Sequence, residues 1–533
     1  MANRSDPRES GVAVSRRQVV DLPLSRRGLL LAAGATGLLA ACSSTSNPSG
    51  TAAGPPGKPV RGGTLKLGSE VPSSGIDPVT SSDPTGLAAV QLVNEYLFSL
   101  EADATLRPVL GLRSSVDPSG LVWTVPLRRG VTFNDHTPFT ADAVLSSLGR
   151  LTAPRSESPA AATFRGILDT ITKIDDFTVQ FRLHRPFADF PYLLSSGNFN
   201  TFILPPSYGG NWARTPMGTG PFTLTANVTG QRLSYARRPD YWNAGRIYVD
   251  GVDLLLYKDA QARLLALQSG EIDAETSSIA TDGASLNRSR ITTAAGPSST
   301  FTALALRTDR PPFDDRSVRQ AVAWALDRSA VNAVQLRSEG AVGNDHIFAP
   351  SYGTRPQGLA QRDKNLQKVK ELLAGRTIAF SITASQFEVS YAAQLQQQLT
   401  AAGFKVELAT LSDTAYYAGS DTTAPWLNAE ATLTGWAARP SPSEFISYMF
   451  RTGAAWNASH YSNPALDQLA VKLDAVTGDG DKQGLVNQIG RILWDDVPVV
   501  IPVWEPTVRF TNKRVHGLGA DMALDLGGVW IGA

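Results

Sequence analysis

The only cysteine of the chain, Cys42, stands at the end of a short uncharged apolar run, and this pairing constrains what can follow. Residues 28–41 read Gly-Leu-Leu-Leu-Ala-Ala-Gly-Ala-Thr-Gly-Leu-Leu-Ala-Ala. A bilayer-spanning helix needs ~20 apolar residues, so the run is too short to cross a membrane. A polar stretch with two arginine pairs, Arg16-Arg17 and Arg26-Arg27, precedes it, and small residues close it. That order describes a signal peptide over residues 1–41. One cysteine cannot make an internal disulfide, and it cannot build a multi-cysteine metal site. The body of the protein must therefore fold on burial alone, which a chain of 533 residues is long enough to do.

Leu39-Ala40-Ala41-Cys42 resembles a lipobox. In bacterial lipoproteins cleavage falls just before such a cysteine, and its thiol carries a diacylglycerol. The resemblance implies lipidation at Cys42, with enough acyl chain for stable membrane attachment. A buried structural cysteine is the alternative, and the position of Cys42 at a processing site argues against it. Ser25-Arg26-Arg27-Gly28-Leu29-Leu30 resembles a twin-arginine export signal, with Leu29 where Phe is common. Residues 42–60 are rich in Ser, Gly, Pro, Thr and Ala with no hydrophobic period, the composition of a flexible tether.

The net charge of +1 and the lack of any dense Lys/Arg block give no nucleic-acid footprint. The five histidines, 136, 184, 346, 460 and 516, are dispersed without metal-ligand spacing. No G-x-S-x-G elbow, H-E-x-x-H pair or phosphate loop is present. The expectation is a protein without catalytic residues, metal or cofactor. Paired carboxylates for glycoside hydrolysis stay open, because they need only meet in space.

Hydrophobic periodicity predicts alternating strands and helices. Gly63-Thr64-Leu65-Lys66-Leu67-Gly68 and Val122-Trp123-Thr124-Val125-Pro126-Leu127 alternate as strands do. Leu87, Val90, Val93, Leu97 and Phe98 predict a helix over 86–98. Thr140 is placed to cap a helix carrying Val144, Leu148 and Leu151. Further helices are predicted over 259–269, after Asp315, and over 366–373 and 391–402. This alternation means α/β layers.

Six blocks then occur in order. Residues 123–144 read Trp-Thr-Val-Pro-Leu-Arg-Arg-Gly-Val-Thr-Phe-Asn-Asp-His-Thr-Pro-Phe-Thr-Ala-Asp-Ala-Val. Gly218-Thr219-Gly220-Pro221-Phe222 and Arg238-Pro239-Asp240-Tyr241-Trp242 follow, then Gly270-Glu271-Ile272-Asp273 after a short helix. Residues 312–321 read Pro-Phe-Asp-Asp-Arg-Ser-Val-Arg-Gln-Ala, and His460-Tyr461-Ser462-Asn463-Pro464 comes last. Together they resemble the dipeptide- and oligopeptide-binding proteins of ABC importers, extracellular solute-binding protein family 5. His136 stands where the family usually has Gly, and Ala143 where a second Asp is common.

The resemblance implies a two-lobed, type II periplasmic-binding-protein-like α/β fold with an extra subdomain, closing on a ligand by hinge motion. Lobe I is expected from 61–95, 216–304 and 505–533, the extra subdomain from 96–215, and lobe II from 305–504. The implied partners are a peptide or peptide-like solute, an ABC permease and ATPase, and the membrane through Cys42. The implied body is a monomer in the periplasm or cell-envelope space. In several relatives an Asp three residues after a conserved-type Trp pairs with the ligand's α-amino group. In Gly435-Trp436-Ala437-Ala438-Arg439 that position is Arg439. A guanidinium suits a carboxylate and cannot pair with an ammonium. Either Arg439 meets an anionic group of the ligand, or it is paired by an acid of lobe II and the ammonium is held elsewhere. By the same match Trp436 is a cleft wall or a core residue; Trp504, after Val499-Val500-Ile501-Pro502-Val503, which looks like a returning crossover strand, is equally a cleft wall or a core residue. Glu70 is a ligand contact or a solvated turn carboxylate. Oligosaccharides, metal chelates and glutathione-like or other anionic solutes are the alternative ligands, and Trp426, Trp436 and Trp456 are candidates to stack on sugar rings.

Overall fold

The computed structural model describes residues 57–532 apart from 73, 74, 279, 478 and 522. The signal peptide, Cys42 and most of the tether lie outside the described residues. Two long strands, Ile291–Leu306 and Val503–Asn512, organise everything else. Residues 291–296 pair antiparallel with 507–512. The register then shifts between Gly296 and Thr300, and 301–306 pair with Trp436 back to Ala431. Pro297 falls inside that shift, where a residue without an N–H costs no ladder bond. A bulge of this kind bends and twists a strand, so one strand serves two lobes.

In lobe I, Thr64–Glu70 runs parallel to Gly251–Tyr257 and to Ala274–Glu275. Its central residues are buried in succession, as expected for a strand covered on both faces. Helix Ala260–Ser269 is capped by Asp259, whose side chain accepts from the Ala262 N–H, and ends at Gly270 with φ of 83°. In lobe II, Ala379–Ser385 lies between Lys405–Leu411 and Ala431–Trp436, all parallel. Helix Arg316–Ala325 starts at Asp315, which accepts from the Ser317 N–H at 2.7 Å. All these strands belong to one twelve-stranded sheet among the described residues.

The extra unit has its own four-stranded sheet, including Val122–Pro126 and Thr178–Leu183, and its own core around Phe133, Phe139, Phe164 and Phe181. It touches lobe II, where Arg185 donates to Asp474 at 2.5 Å and Lys482 to Asp189 at 3.1 Å.

Several of the sequence blocks meet in space. Arg238 is 4% exposed, and its guanidinium donates to the carbonyls of Phe133, Gly218 and Gly220 and pairs with Asp240. The 123–144 block, the glycine loop and the Arg-Pro-Asp block are thus one structural clamp.

Two local expectations are corrected. The helix predicted over 86–98 spans Pro84–Gln91, and Phe98–Leu100 is a strand. The Val93 carbonyl is taken by the Gly220 N–H at 2.8 Å, and a Cβ on Gly218 would fall 2.1 Å from the same oxygen. The glycine loop therefore packs on bare backbone that a continuing helix would have used. Thr140 does precede helix Ala141–Thr152, but its side chain makes no capping hydrogen bond.

Candidate functional site

Strands Ala379–Ser385, Lys405–Leu411 and Ala431–Trp436 point their carboxyl ends the same way, and α/β sheets bind ligands at that edge. The ladder from Ala379–Ser385 pairs with 431–433 and stops at Leu433. Beyond it, residues 434–437 have no strand on that edge. Gly435 and Ala437 are exposed. The Trp436 side chain turns inward, 7% exposed, and stacks on Phe301 at 6.3 Å with Trp456 at 6.1 Å. Trp436 is thus the floor beneath an open strand edge.

Arg439 follows this edge. Its main chain is fixed by Ser299 from the bulge. The Arg439 N–H donates to Ser299 Oγ, which donates to the Arg439 carbonyl, both at 2.9 Å. Tyr352 Oη donates to that carbonyl at 2.9 Å. The guanidinium lies over the rings of Tyr448 at 5.7 Å and Trp456 at 6.0 Å. Its Nε is buried with no hydrogen-bond partner, and Arg439 has no ion pair among the described residues. Glu444 is close enough for the Arg439 charge to act on it. Burial pushes that carboxyl up to about 7, while the Arg439 charge pulls it down. Glu444 Oε1 is also unpartnered. The pairing with a lobe II acid, open from the sequence, is not made as a hydrogen-bonded contact.

Trp504 is 3% exposed and meets Phe301 edge-on at 4.9 Å. Its backbone is paired on both sides, to Ala341 and Phe301. It packs on Phe301 on one side and, with Val342, Asn344, His346 and Phe348, lines a separate open cavity. Glu70 ends the first strand of lobe I with its side chain 54% exposed. It accepts from Arg263 Nη1 at 2.8 Å, and Arg263 Nε donates to the buried Glu275 at 2.7 Å. The structure brings Trp436 and Arg439 together and holds Glu70 on the other lobe inside a network of its own.

Sequence reasoning missed Glu388 and Glu505. Glu388 sits in the turn Gln386–Glu388, just past strand Ala379–Ser385. Glu505 is on the second crossing strand and accepts from Thr302 Oγ1 at 2.9 Å. Burial raises both carboxyls, Glu388 to about 7 with Glu505 and then Asp413 adding to the effect. The one available signal was Gly435, a residue without a side chain beside an inward Trp. Among the described residues no group of three or more His, Cys, Asp or Glu is arranged to hold a metal ion. No helix among them is long and apolar enough to cross a membrane. His460 is packed, with Nε2 at 3.1 Å from the Leu427 carbonyl and Nδ1 at 3.5 Å from Asp309.

A crossed two-lobe sheet with an open strand edge at the junction defines a solute-binding protein. Residues 105–458 match the model of the bacterial extracellular solute-binding proteins, family 5 Middle, and the chain belongs to that family. The glutathione-binding protein GsiB of Pectobacterium atrosepticum is 26% identical over 465 residues, 83% of this chain and 88% of that protein. The ABC transporter substrate-binding protein CtaP of Listeria monocytogenes superposes with a TM-score of 0.78 at 23% identity, over 89% of this chain and 100% of that one. The periplasmic binding protein DppA of Helicobacter pylori, in complex with the peptide STSA, gives 0.70 at 22% identity, over 89% and 99%. Members of this family are the solute-binding components of ABC importers, and this chain is one of them.

Proposed function

We propose that the protein captures short peptides or peptide-like solutes outside the cytoplasm and delivers them to an ABC permease and its ATPase. The observation that carries this reading is the open edge at 434–437, between Gly435 and Ala437, in the angle of the two crossing strands. Unpaired main-chain groups on an exposed strand edge suit an extended backbone, which adds to the sheet as one more strand. Arg439 at the end of that edge takes an anionic group of the ligand. Trp436 and Trp504 hold Phe301 and the edge in place, and Glu70 orients Arg263 on the facing wall. Lobe I consists of 61–95, 216–304 and 505–533, the extra subdomain of 96–215, and lobe II of 305–504. The strand changes partner at Gly296–Thr300, a few residues before the boundary at 304, and the chain flexes there on closure. The protein acts as a monomer, turns nothing over, and is held to the membrane by a lipid on Cys42 through the tether 42–60.

A second reading keeps the fold and replaces the peptide by a glutathione-like or other anionic solute. The unpaired Arg439 guanidinium and the similarity to glutathione-binding proteins favour it. Native mass spectrometry of the full chain purified in detergent, followed by denaturing release, separates the two. A heterogeneous set of short peptides is the expected result. A single non-peptide mass overturns the peptide reading and leaves the second.

A further inference from the structure

Glu388 and Glu505 come from segments more than a hundred residues apart and converge on one ladder position. A Cβ on Gly435 would fall 2.9 Å from Glu388 Oε1, so this carboxylate lies directly over the glycine. The ladder partner of Gly435 is Thr302, whose hydroxyl donates to Glu505 Oε1 at 2.9 Å. Both carboxylates therefore occupy the same face of the sheet, beside the open edge at 434–437. Neither is ion-paired with an Arg, Lys or His among the described residues, and Glu388 has no hydrogen bond there. A third polar group stands in the same region. Tyr391, two positions into the helix Val389–Ala401, is 5% exposed, and its hydroxyl is buried without a partner among the described residues. Burial raises that hydroxyl, and the charges of Glu505 and Glu388 add to the effect.

Two neighbouring carboxylates in a half-buried site stay charged together only when a cation lies between them. The groups facing them are of no help. Asp413 adds to the repulsion at Glu388, Tyr416 and Tyr417 are neutral phenols, and the Arg328 charge acts on Tyr391 rather than on the carboxylates. The Tyr417 ring, 48% exposed, offers a face of the kind that organic cations prefer.

We propose that Glu388 and Glu505 form a cation-binding subsite of the cleft, which takes an amine or guanidinium of a peptide-like ligand whose main chain lies along 434–437 and whose anionic group meets Arg439. This rests on the peptide reading above. Gly435 and Arg439 are four positions apart, a span of at most ~14 Å in extended chain. The two charged ends thus suit a short peptide of about two to four residues. The cation is the ligand's terminal ammonium or a Lys or Arg side chain.

The test offers the full chain an equimolar tripeptide library, with each member in free-amine and N-acetylated form, and identifies the retained peptides by mass spectrometry. Glu388→Gln and Glu505→Gln are compared with wild type. Both are close in shape, and thermal unfolding confirms that each is folded. Wild type is expected to enrich cationic members, and each variant to lose roughly 10- to 100-fold of that enrichment. A loss confined to free-amine members assigns the ammonium, and one confined to Lys and Arg members assigns the side chain. Identical retained pools in wild type and both variants overturn the subsite and leave the peptide reading intact. A wild type that retains no peptide overturns the peptide reading and the subsite with it.

Discussion

The two walls of the cleft treat charge in opposite ways. On lobe I, Arg263 is 7% exposed and lies between Glu275 and Glu70, and Glu275 also accepts from Ser278. That wall is electrostatically closed. Around the open strand edge, Arg439 has no acid hydrogen-bonded to it among the described residues, and neither Glu388 nor Glu505 is ion-paired there. Burying an unpaired charge is costly, and a protein keeps such groups where something else supplies the partner. The difference teaches that the charges around the open strand edge are left without protein partners, while those around Arg263 answer one another.

Breaking the closed wall should have the largest effect. Glu275→Ala leaves the Arg263 guanidinium buried with one partner removed, and should cost about 3–5 kcal/mol of stability. Denaturant midpoints measure it. A cost under ~1 kcal/mol would show that the lobe I network is as loose as the lobe II charges. Arg439→Ala should do the reverse. Only ring contacts hold the guanidinium, so stability should change by no more than about 1 kcal/mol. Affinity for the retained ligand should fall by about 1.5–3 kcal/mol in calorimetry. A large loss of stability with unchanged affinity would place Arg439 with the structural charges.

The next effect is one of pH. Burial, with Glu505 and Asp413 adding to it, holds the Glu388 carboxyl at about 7 against an ordinary 4.5. The ligand-free folded state then binds a proton that the unfolded chain releases. This contribution to stability is complete below about pH 4.5 and is lost as pH rises through about 7. The melting temperature of Glu388→Gln relative to wild type should therefore rise between pH 5 and pH 8. A difference flat with pH would mean that Glu388 is already paired. The smallest effect belongs to Glu70. Its side chain is 54% exposed, so Glu70→Ala should cost no more than ~1 kcal/mol, and Glu275 should keep Arg263 in place.

Much of the frame was legible because its signals are local. Asp315 and Asp259 stand before helices and cap them, and Gly270 closes one in the left-handed conformation. Alternation at Val122–Pro126 survived folding because that strand faces one core, whereas Thr64–Glu70 is covered on both faces and buries Leu67, Gly68 and Ser69 in succession. The helix over 86–98 failed because Gly220, more than a hundred residues away, takes the Val93 carbonyl. Of the candidate site, Trp436 and Arg439 were proposed from a single short block, and the structure sets them side by side at the open edge. Trp504 was proposed from its place after a crossover strand and is 3% exposed, because burial depends on what packs around a ring and not on its place in a strand. Glu388 and Glu505 were invisible, since nothing in either segment marks a glutamate whose neighbour will be a bare glycine.

The amino-acid sequence by itself determined the class: α/β alternation and ordered blocks shared with a family of solute-binding proteins. These are patterns of neighbouring residues, and hydrophobic period and turn chemistry read them directly. Only the tertiary structure decided which charges are satisfied and which wait. Arg263 finds Glu275 and Glu70, while Arg439 finds two rings and Glu388 finds a glycine and a second carboxylate. The reason is that the energy of a buried charge is set by partners brought from distant segments, and those meet only when the lobes are built.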